Sequence, residues 1–189
     1  MSGMPKLWHD TIEAHRNAVA DAIMDHTAAL AAAEGLHGLT MARVAQEAGI
    51  GRATLYKYFK DLEEILASWH RRQIAAHLAD LEVIRSRHTS PLAALEAVLL
   101  AYAHHSTHDY DGGLGRLLHA LPHVAQAHSH LQSFVTDVIR DAIKAGELDA
   151  SPPADERASY AISAMQAASA HSRGALKRLV GMVVKGMSA

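Results

Sequence analysis

The side chains best suited to chemistry in this sequence are cationic, hydroxyl and phenol groups between positions 40 and 60. Arg52 can place a planar guanidinium against a guanine edge. Ala53 and Thr54 can contact the methyl group of thymine. The rest of this group consists of residues that can hold phosphates: Thr40, Arg43, Tyr56, Lys57, Tyr58 and Lys60. The pattern predicts recognition of duplex DNA in the major groove, with bases read at positions 52–54.

The fifteen histidines are a second group that could do chemistry. His104 and His108 lie four residues apart, a spacing at which two imidazoles on one helix face can bind one metal ion. A zinc peptidase motif would need a glutamate directly after the first histidine, where this sequence has His105. We therefore prefer surface histidines with no metal or other cofactor. A metal-sensing regulator or a metal-dependent hydrolase that uses the His104 and His108 region is the alternative. No catalytic residue can be argued from spacing, so no enzymatic activity is predicted.

Two short helices joined by a glycine must position the residues that contact DNA. Thr40 can cap the first helix with its hydroxyl. Gly49, at the end of that helix, can adopt the positive φ that a tight reversal needs. Leu55 and Phe59 lie four residues apart, so both face inward from the second helix while the polar residues stay outside. The sequence therefore predicts a helix-turn-helix.

The net charge of -2 argues against careless assignment to nucleic-acid binding, because affinity for DNA comes largely from cations. The distribution of charge changes this conclusion. From Arg43 to Lys60 there are four basic residues and one acidic residue, Glu47, which gives a local balance of +3. A patch of this size predicts weak binding by one copy and hence two copies that act together.

Residues 35–66 resemble the N-terminal domain of the TetR (tetracycline repressor) family of bacterial regulators. The residues that carry the resemblance are Gly35, Thr40, Ala48-Gly49-Ile50-Gly51, Ala53-Thr54-Leu55-Tyr56, Lys57, Tyr58 and Phe59. Gly51 stands where the family usually has serine, and Ala53 replaces a common glycine. Leu62 stands where many members have a lysine that contacts phosphate, a role that Lys60 can take over.

The resemblance implies an all-α protein with a three-helix helix-turn-helix DNA-binding domain at residues 1–62. A helical effector-binding and dimerisation domain would follow at residues 63–189. It also implies a regulator that binds a palindromic operator as a homodimer and is released by a small-molecule effector. Repression is the usual mode of the family, so the resemblance implies a repressor.

The resemblance and the helical phase of the apolar residues together predict two further sites. The final two helices of the family pair with those of a second copy. We expect the dimer interface to contain Ile162, Met165, Leu176, Leu179, Val180 and Val183. We expect the effector pocket to be mostly apolar and to contain Leu99, Tyr102, His105, Leu118, Phe134 and Met165.

The body of the chain reads as a series of helices with recognisable ends. One long helix is predicted over residues 61–87 and another from Ser90 and Pro91. The glycine-rich residues 111–115 lack the lysine of a phosphate-binding loop, so a plain loop is expected. A helix from Pro122 should stop at Gly146. Ser151 and Pro152 indicate the start of the next helix, which is dominated by alanine and serine over residues 158–172. A last helix should follow it.

Composition narrows the cellular setting. The absence of cysteine excludes disulfide scaffolds and thiolate zinc sites and is compatible with a reducing compartment. No signal peptide is recognisable, and the apolar run at residues 28–33 is far too short to span a membrane. We expect a cytoplasmic protein whose partners are operator DNA, a small-molecule effector and a second copy of itself.

Overall fold

The computed structural model describes residues 6–106, 118, 121–168 and 172–187. Throughout these residues the regular structure is helical, without strands, as predicted. The helices are α1 (Lys6–Glu34), α2 (Met41–Glu47), α3 (Arg52–Leu55), α4 (Leu62–Ser86), α5 (Pro91–Ser106), α6 (Pro122–Lys144), α7 (Ala154–Ala168) and α8 (Arg173–Met187). No helix of the described ranges is long and apolar enough to cross a membrane. His108 and the predicted loop at residues 111–115 lie outside the described residues.

The turn between α2 and α3 forms as the sequence predicts. The hydroxyl of Thr40 accepts a hydrogen bond from the backbone N–H of Arg43 at 3.2 Å, which caps α2. Gly49 has φ +66°. Its N–H donates to the carbonyl of Gln46, and the N–H of Ile50 donates to the carbonyl of Ala45. These two bonds form a Schellman motif, which satisfies carbonyls that the end of α2 would leave unpaired.

Local signals also set the ends of the longer helices. Asp61 accepts a hydrogen bond from the N–H of Glu64 at 2.8 Å, so α4 begins with a side-chain cap. Ser90 caps α5 in the same way, through the N–H of Ala93 at 3.1 Å. The helix α6 begins at Pro122 and ends before Gly146, whose φ is +73°. These bounds confirm the predictions made from the cap residues.

The start of α7 differs from the sequence pattern. Ser151 and Pro152 announce a helix, but α7 begins two residues later, at Ala154. The guanidinium of Arg157, a buried residue, donates to the carbonyls of Asp149 and Ser151. These bonds tie the segment before α7 to the first turn of that helix.

The described residues divide into two compact units. Unit 1 runs to Gln73 and includes Leu118 and Leu121, and unit 2 contains the rest. The sequence placed the domain boundary at residue 62, whereas the units divide inside α4. The first turns of α4 belong to unit 1, where Trp69 is buried.

The core of unit 2 is an apolar cluster of side chains from α4 to α8 within that unit. Residues that are almost completely buried there include Leu81, Leu95, Leu99, Ile139, Ile162, Met165 and Leu176. The burial of these residues follows the helical spacing seen in the sequence. Unit 2 therefore has a core independent of the helix-turn-helix.

Candidate nucleic-acid interface

The inward face of α3 orients its polar residues. Leu55 is completely buried and Phe59 is 7% exposed, as predicted from their spacing. Backbone bonds from Tyr58 and Phe59 to the carbonyl of Leu55 continue the turn beyond the end of the helix. Because these two apolar side chains fix the rotation of α3, its opposite face is turned away from the core of unit 1.

The predicted base-reading residues are exposed at the start of α3. Arg52, Ala53 and Thr54 are all exposed and follow one another along α3. Among the described residues no carboxylate forms an ion pair with Arg52. The guanidinium is therefore free to donate to a base edge or a phosphate.

The residues predicted to hold phosphates have different environments. Tyr56 is 56% exposed, and Lys57 and Lys60 are exposed as well. Neither lysine forms an ion pair within the described part of the chain. Tyr58 is half-buried. The hydroxyl of Thr40 accepts the capping bond at α2, which leaves its proton available as a donor.

Arg43 differs from the other predicted phosphate contacts because it is ion-paired twice. Its guanidinium lies 3.2 Å from a carboxylate oxygen of Glu34, at the end of α1, and 3.3 Å from one of Glu47, on α2. The sequence pattern indicates Glu47 as an acidic neighbour of Arg43 but gives no sign of Glu34. No local signal marks the pair with Glu34, because it forms only when the turn after α1 brings the two helices together.

The N-cap residue of α3 is Gly51, which has no side chain that could cap the helix. Gly51 has φ -70° and ψ 147°, an extended conformation that any residue adopts, and makes no side-chain cap bond. A Cβ placed on Gly51 would lie 3.9 Å from the hydroxyl of Thr54, which is an ordinary van der Waals contact. The backbone therefore has room for the serine that the resemblance leads one to expect.

The charges of this region are nearly balanced. Between positions 34 and 64 there are four basic and five acidic residues, which gives a net charge of -1. Three of the four cations, Arg52, Lys57 and Lys60, follow the turn and are unpaired within the described residues, whereas Arg43 is neutralised. The positive potential is therefore concentrated on α3 and the residues directly after it.

The predicted effector-pocket residues are divided by the structure. Leu99 and Met165 are completely buried in the core of unit 2, and Tyr102 and Phe134 pack against that core. His105 is half-buried in the same unit. Leu118 is buried too, but it is grouped with unit 1.

His105 stacks on another imidazole, and two depressions within the described part of unit 2 have other linings. The rings of His77 and His105 have centroids 4.2 Å apart and an interplanar angle of 20°. Two open depressions, of about 280 and 520 Å³, have other linings. One lies near Arg85 and Asp141, and the other near Gln132 and Ser159. Neither is lined by any of the six predicted pocket residues.

The residues predicted for the dimer interface are mostly covered by their own chain. The structure places Ile162, Met165, Leu176, Val180 and Val183 inside the core of unit 2 and packs Leu179 against it. On the same two helices the exposed large apolar residues are Tyr160, which is 55% exposed, and Met182, which is 67% exposed.

The alternative metal site is not assembled within the described residues. His104 is half-buried on α5. Its predicted partner, His108, lies outside the described residues. Where the structure describes the chain, no group of three or more histidine, aspartate or glutamate side chains could hold a metal ion.

An all-helical chain with a helix-turn-helix, whose second helix turns an exposed polar face outward, defines the class of helix-turn-helix regulators. The sequence profile of bacterial regulatory proteins of the tetR family matches residues 23–68. An uncharacterised HTH-type transcriptional regulator of Haemophilus influenzae is 38% identical to this chain over 64 residues. That alignment covers 34% of each protein, so the match spans about a third of the relative's length.

Solved structures share this fold over nearly the whole chain. A regulator of the TetR/AcrR family from Thermobifida fusca has a TM-score of 0.73 at 14% identity, covering 88% of this chain and 97% of its own. The fatty acid degradation regulator FadR of Bacillus halodurans has a TM-score of 0.66 at 14% identity, covering 90% and 94%. At such identities the likeness concerns the fold alone. The match in sequence to the tetR family is confined to residues 23–68, and beyond them the likeness to these regulators is one of fold.

Proposed function

We propose that this protein is a transcriptional repressor that binds a palindromic operator as a homodimer. The observation that carries the proposal is the start of α3, where Arg52, Ala53 and Thr54 are exposed and Arg52 pairs with no carboxylate of the described residues. Arg52 donates to a guanine edge, and the two small side chains contact a thymine methyl group. Lys57, Lys60 and the nearby phenols hold phosphates and set the register.

Two copies are needed because the charge of one reading head is modest. With three unpaired cations, a single head displaces few counterions and binds weakly at physiological salt. A twofold dimer whose heads lie about one helical turn apart, roughly 34 Å, gains affinity from simultaneous contact.

The dimer forms through the exposed faces of α7 and α8, which the resemblance assigns to pairing. Tyr160 and Met182 supply apolar area there that the chain leaves in solvent. The same faces of a second copy cover these side chains, and the resulting interface is isologous. The buried residues of the two helices support this contact surface from below.

Release from DNA is assigned to a small organic molecule that binds unit 2. The half-buried Tyr102, Phe134 and His105 lie around the core and can supply an aromatic wall and a polar group. An effector can shift the population only if it binds better to a form whose two heads are wrongly spaced. Because Leu99 and Met165 are fully packed, that form is the one in which the core has opened.

The test is selection of bound duplexes from a random DNA pool at physiological salt, where nonspecific attraction is suppressed. Enrichment of an inverted repeat with half-sites one helical turn apart is the expected result. Failure to enrich any sequence, from protein shown to be folded and dimeric, would refute the proposal. A regulator of this kind works where the bacterial chromosome lies, in the cytoplasm.

A further inference from the structure

Arg43 joins two carboxylates in an exposed cluster at the helix-turn-helix. Its side chain is 36% exposed, and those of Glu34 and Glu47 are 45% and 42% exposed. One guanidinium shared between two carboxylates leaves the cluster with a net charge of -1. Because all three groups remain in contact with water, the two pairs are weak enough to exchange with other ions.

The stability of α2 does not account for these charges. Arg43 lies in the first turn of α2, near the positive end of the helix dipole, and Glu47 is the last residue, near the negative end. The order of the pair along the helix, basic before acidic, is also the less favourable one. Each charge is thus placed against the local preference of the helix that carries it.

We propose that Glu34 withholds Arg43 from DNA and acts as an intramolecular competitor of the operator phosphates, whereas the pair with Glu47, in the less favourable order along α2, is too weak to do so alone. The inference rests on the DNA binding proposed above and concerns how strongly that site binds. In the wild type, Arg43 braces α1 against α2 and contributes no phosphate contact. The phosphates are held by the unpaired cations after the turn. The reading head is thereby kept weak, and this makes operator binding depend on both heads of the dimer.

The experiment measures the salt dependence of binding to a fluorescent duplex of about 30 base pairs, three helical turns. No operator needs to be known, because the slope of log affinity against log salt counts phosphate contacts on any duplex. Glu34→Gln should release the guanidinium and steepen the slope by about 0.9 for each bound head. With that slope, one added phosphate contact makes the loss of affinity between 50 and 200 mM salt larger by about three- to fourfold than in the wild type.

Two controls separate release of Arg43 from a general loss of negative charge. Glu13→Gln removes the same charge from an exposed position of α1 that pairs with no cation in the described part of the chain. It should leave the slope unchanged. Arg43→Met should also leave the slope unchanged, and Glu34→Gln should have no effect on the slope in that background. Arg43→Gln replaces Arg43→Met if circular dichroism shows that the methionine variant does not fold.

Three results would overturn the inference. They are a shallower slope for Arg43→Met alone, equal slopes for Glu34→Gln and Glu13→Gln, and a steeper slope from Glu34→Gln that persists without Arg43. Each of these leaves DNA binding itself intact. Absence of binding to any duplex at low salt, by the wild type and by every folded variant, would instead refute the proposed function and this inference with it.

Discussion

Gly51 offers a direct test of the local physics at the start of α3. Its extended backbone conformation suits serine, and a Cβ there meets nothing closer than 3.9 Å. In Gly51→Ser the new hydroxyl can accept a hydrogen bond from an N–H of the first turn of α3. Replacing glycine also reduces the conformational freedom of the unfolded chain.

The magnitude follows from these two effects. A serine cap is better than a glycine cap by a few tenths of a kcal/mol. The loss of glycine entropy adds roughly 0.4–1 kcal/mol. Gly51→Ser should therefore stabilise the protein by about 0.5–1.5 kcal/mol. This corresponds to an increase in Tm of roughly 1–6 °C for a chain of this length.

The assay is urea unfolding followed by the fluorescence of Trp69, which is buried in unit 1. A Trp8→Phe background removes the other indole. Gly51→Ala is the matched control, because it has the entropic effect without the cap and should be less stable than Gly51→Ser by about 1 kcal/mol. Gly49→Ser should instead destabilise by about 1–2 kcal/mol, since its φ is +66°. A Gly51→Ser variant no more stable than Gly51→Ala would refute the argument for a missing cap.

The remaining predictions concern DNA contacts, acid stability and assembly. Arg52→Ala should lower affinity for the selected operator by about 1–3 kcal/mol and relax sequence preference in a binding assay, and an equal loss on scrambled DNA would contradict a base contact. Lys57→Ala should weaken binding to all duplexes and make the salt slope shallower by about one, so an unchanged slope would remove it from the phosphate contacts. The hydrogen bond from Arg85, at 2.7 Å, lowers the pKa of Asp141 below its usual 3.8. The ionised Asp141 therefore stabilises the folded protein above that pH, and this contribution is lost as the pH falls through the folded-state pKa. The stability difference between wild type and Asp141→Asn in urea titrations should thus shrink below about pH 4, and a constant difference would disprove the linkage. Met182→Glu should weaken the dimer in sedimentation experiments without lowering the stability of the monomer, because the side chain is 67% exposed, and an unchanged dimer would place the interface elsewhere.

Tertiary contacts changed the electrostatic interpretation of the reading head. The sequence predicted a patch of four cations opposed by one carboxylate. The structure adds Glu34 to that patch and pairs Arg43 with both carboxylates. The two partners Glu34 and Arg43 are nine residues apart, so helical periodicity cannot indicate their contact. Only the path of the chain between α1 and α2 brings them together.

A similar contact explains why the unit boundary lies inside α4. Arg72 donates to Asp21 at 2.6 Å and also pairs with Asp25, and both aspartates lie on α1. The start of α4 is a sequence signal, and the Asp61 cap places it correctly. The point along α4 at which the packing partners change depends on residues about fifty positions away, which no local pattern encodes.

The sequence by itself determined the helix-turn-helix, the starts of α4 and α5, the bounds of α6 and the inward face of α3. These features depend on short-range physics, namely capping hydroxyls, the positive φ of Gly49 and the four-residue spacing of Leu55 and Phe59. Tertiary structure alone decided what covers each apolar face. Helical phase shows that Ile162 and Leu176 lie on apolar stripes. The same stripe is expected whether a side chain is buried by its own chain or by a second copy, so the pattern cannot distinguish the two cases. The packing of unit 2 buries both side chains within one chain, which their helical phase alone could not show.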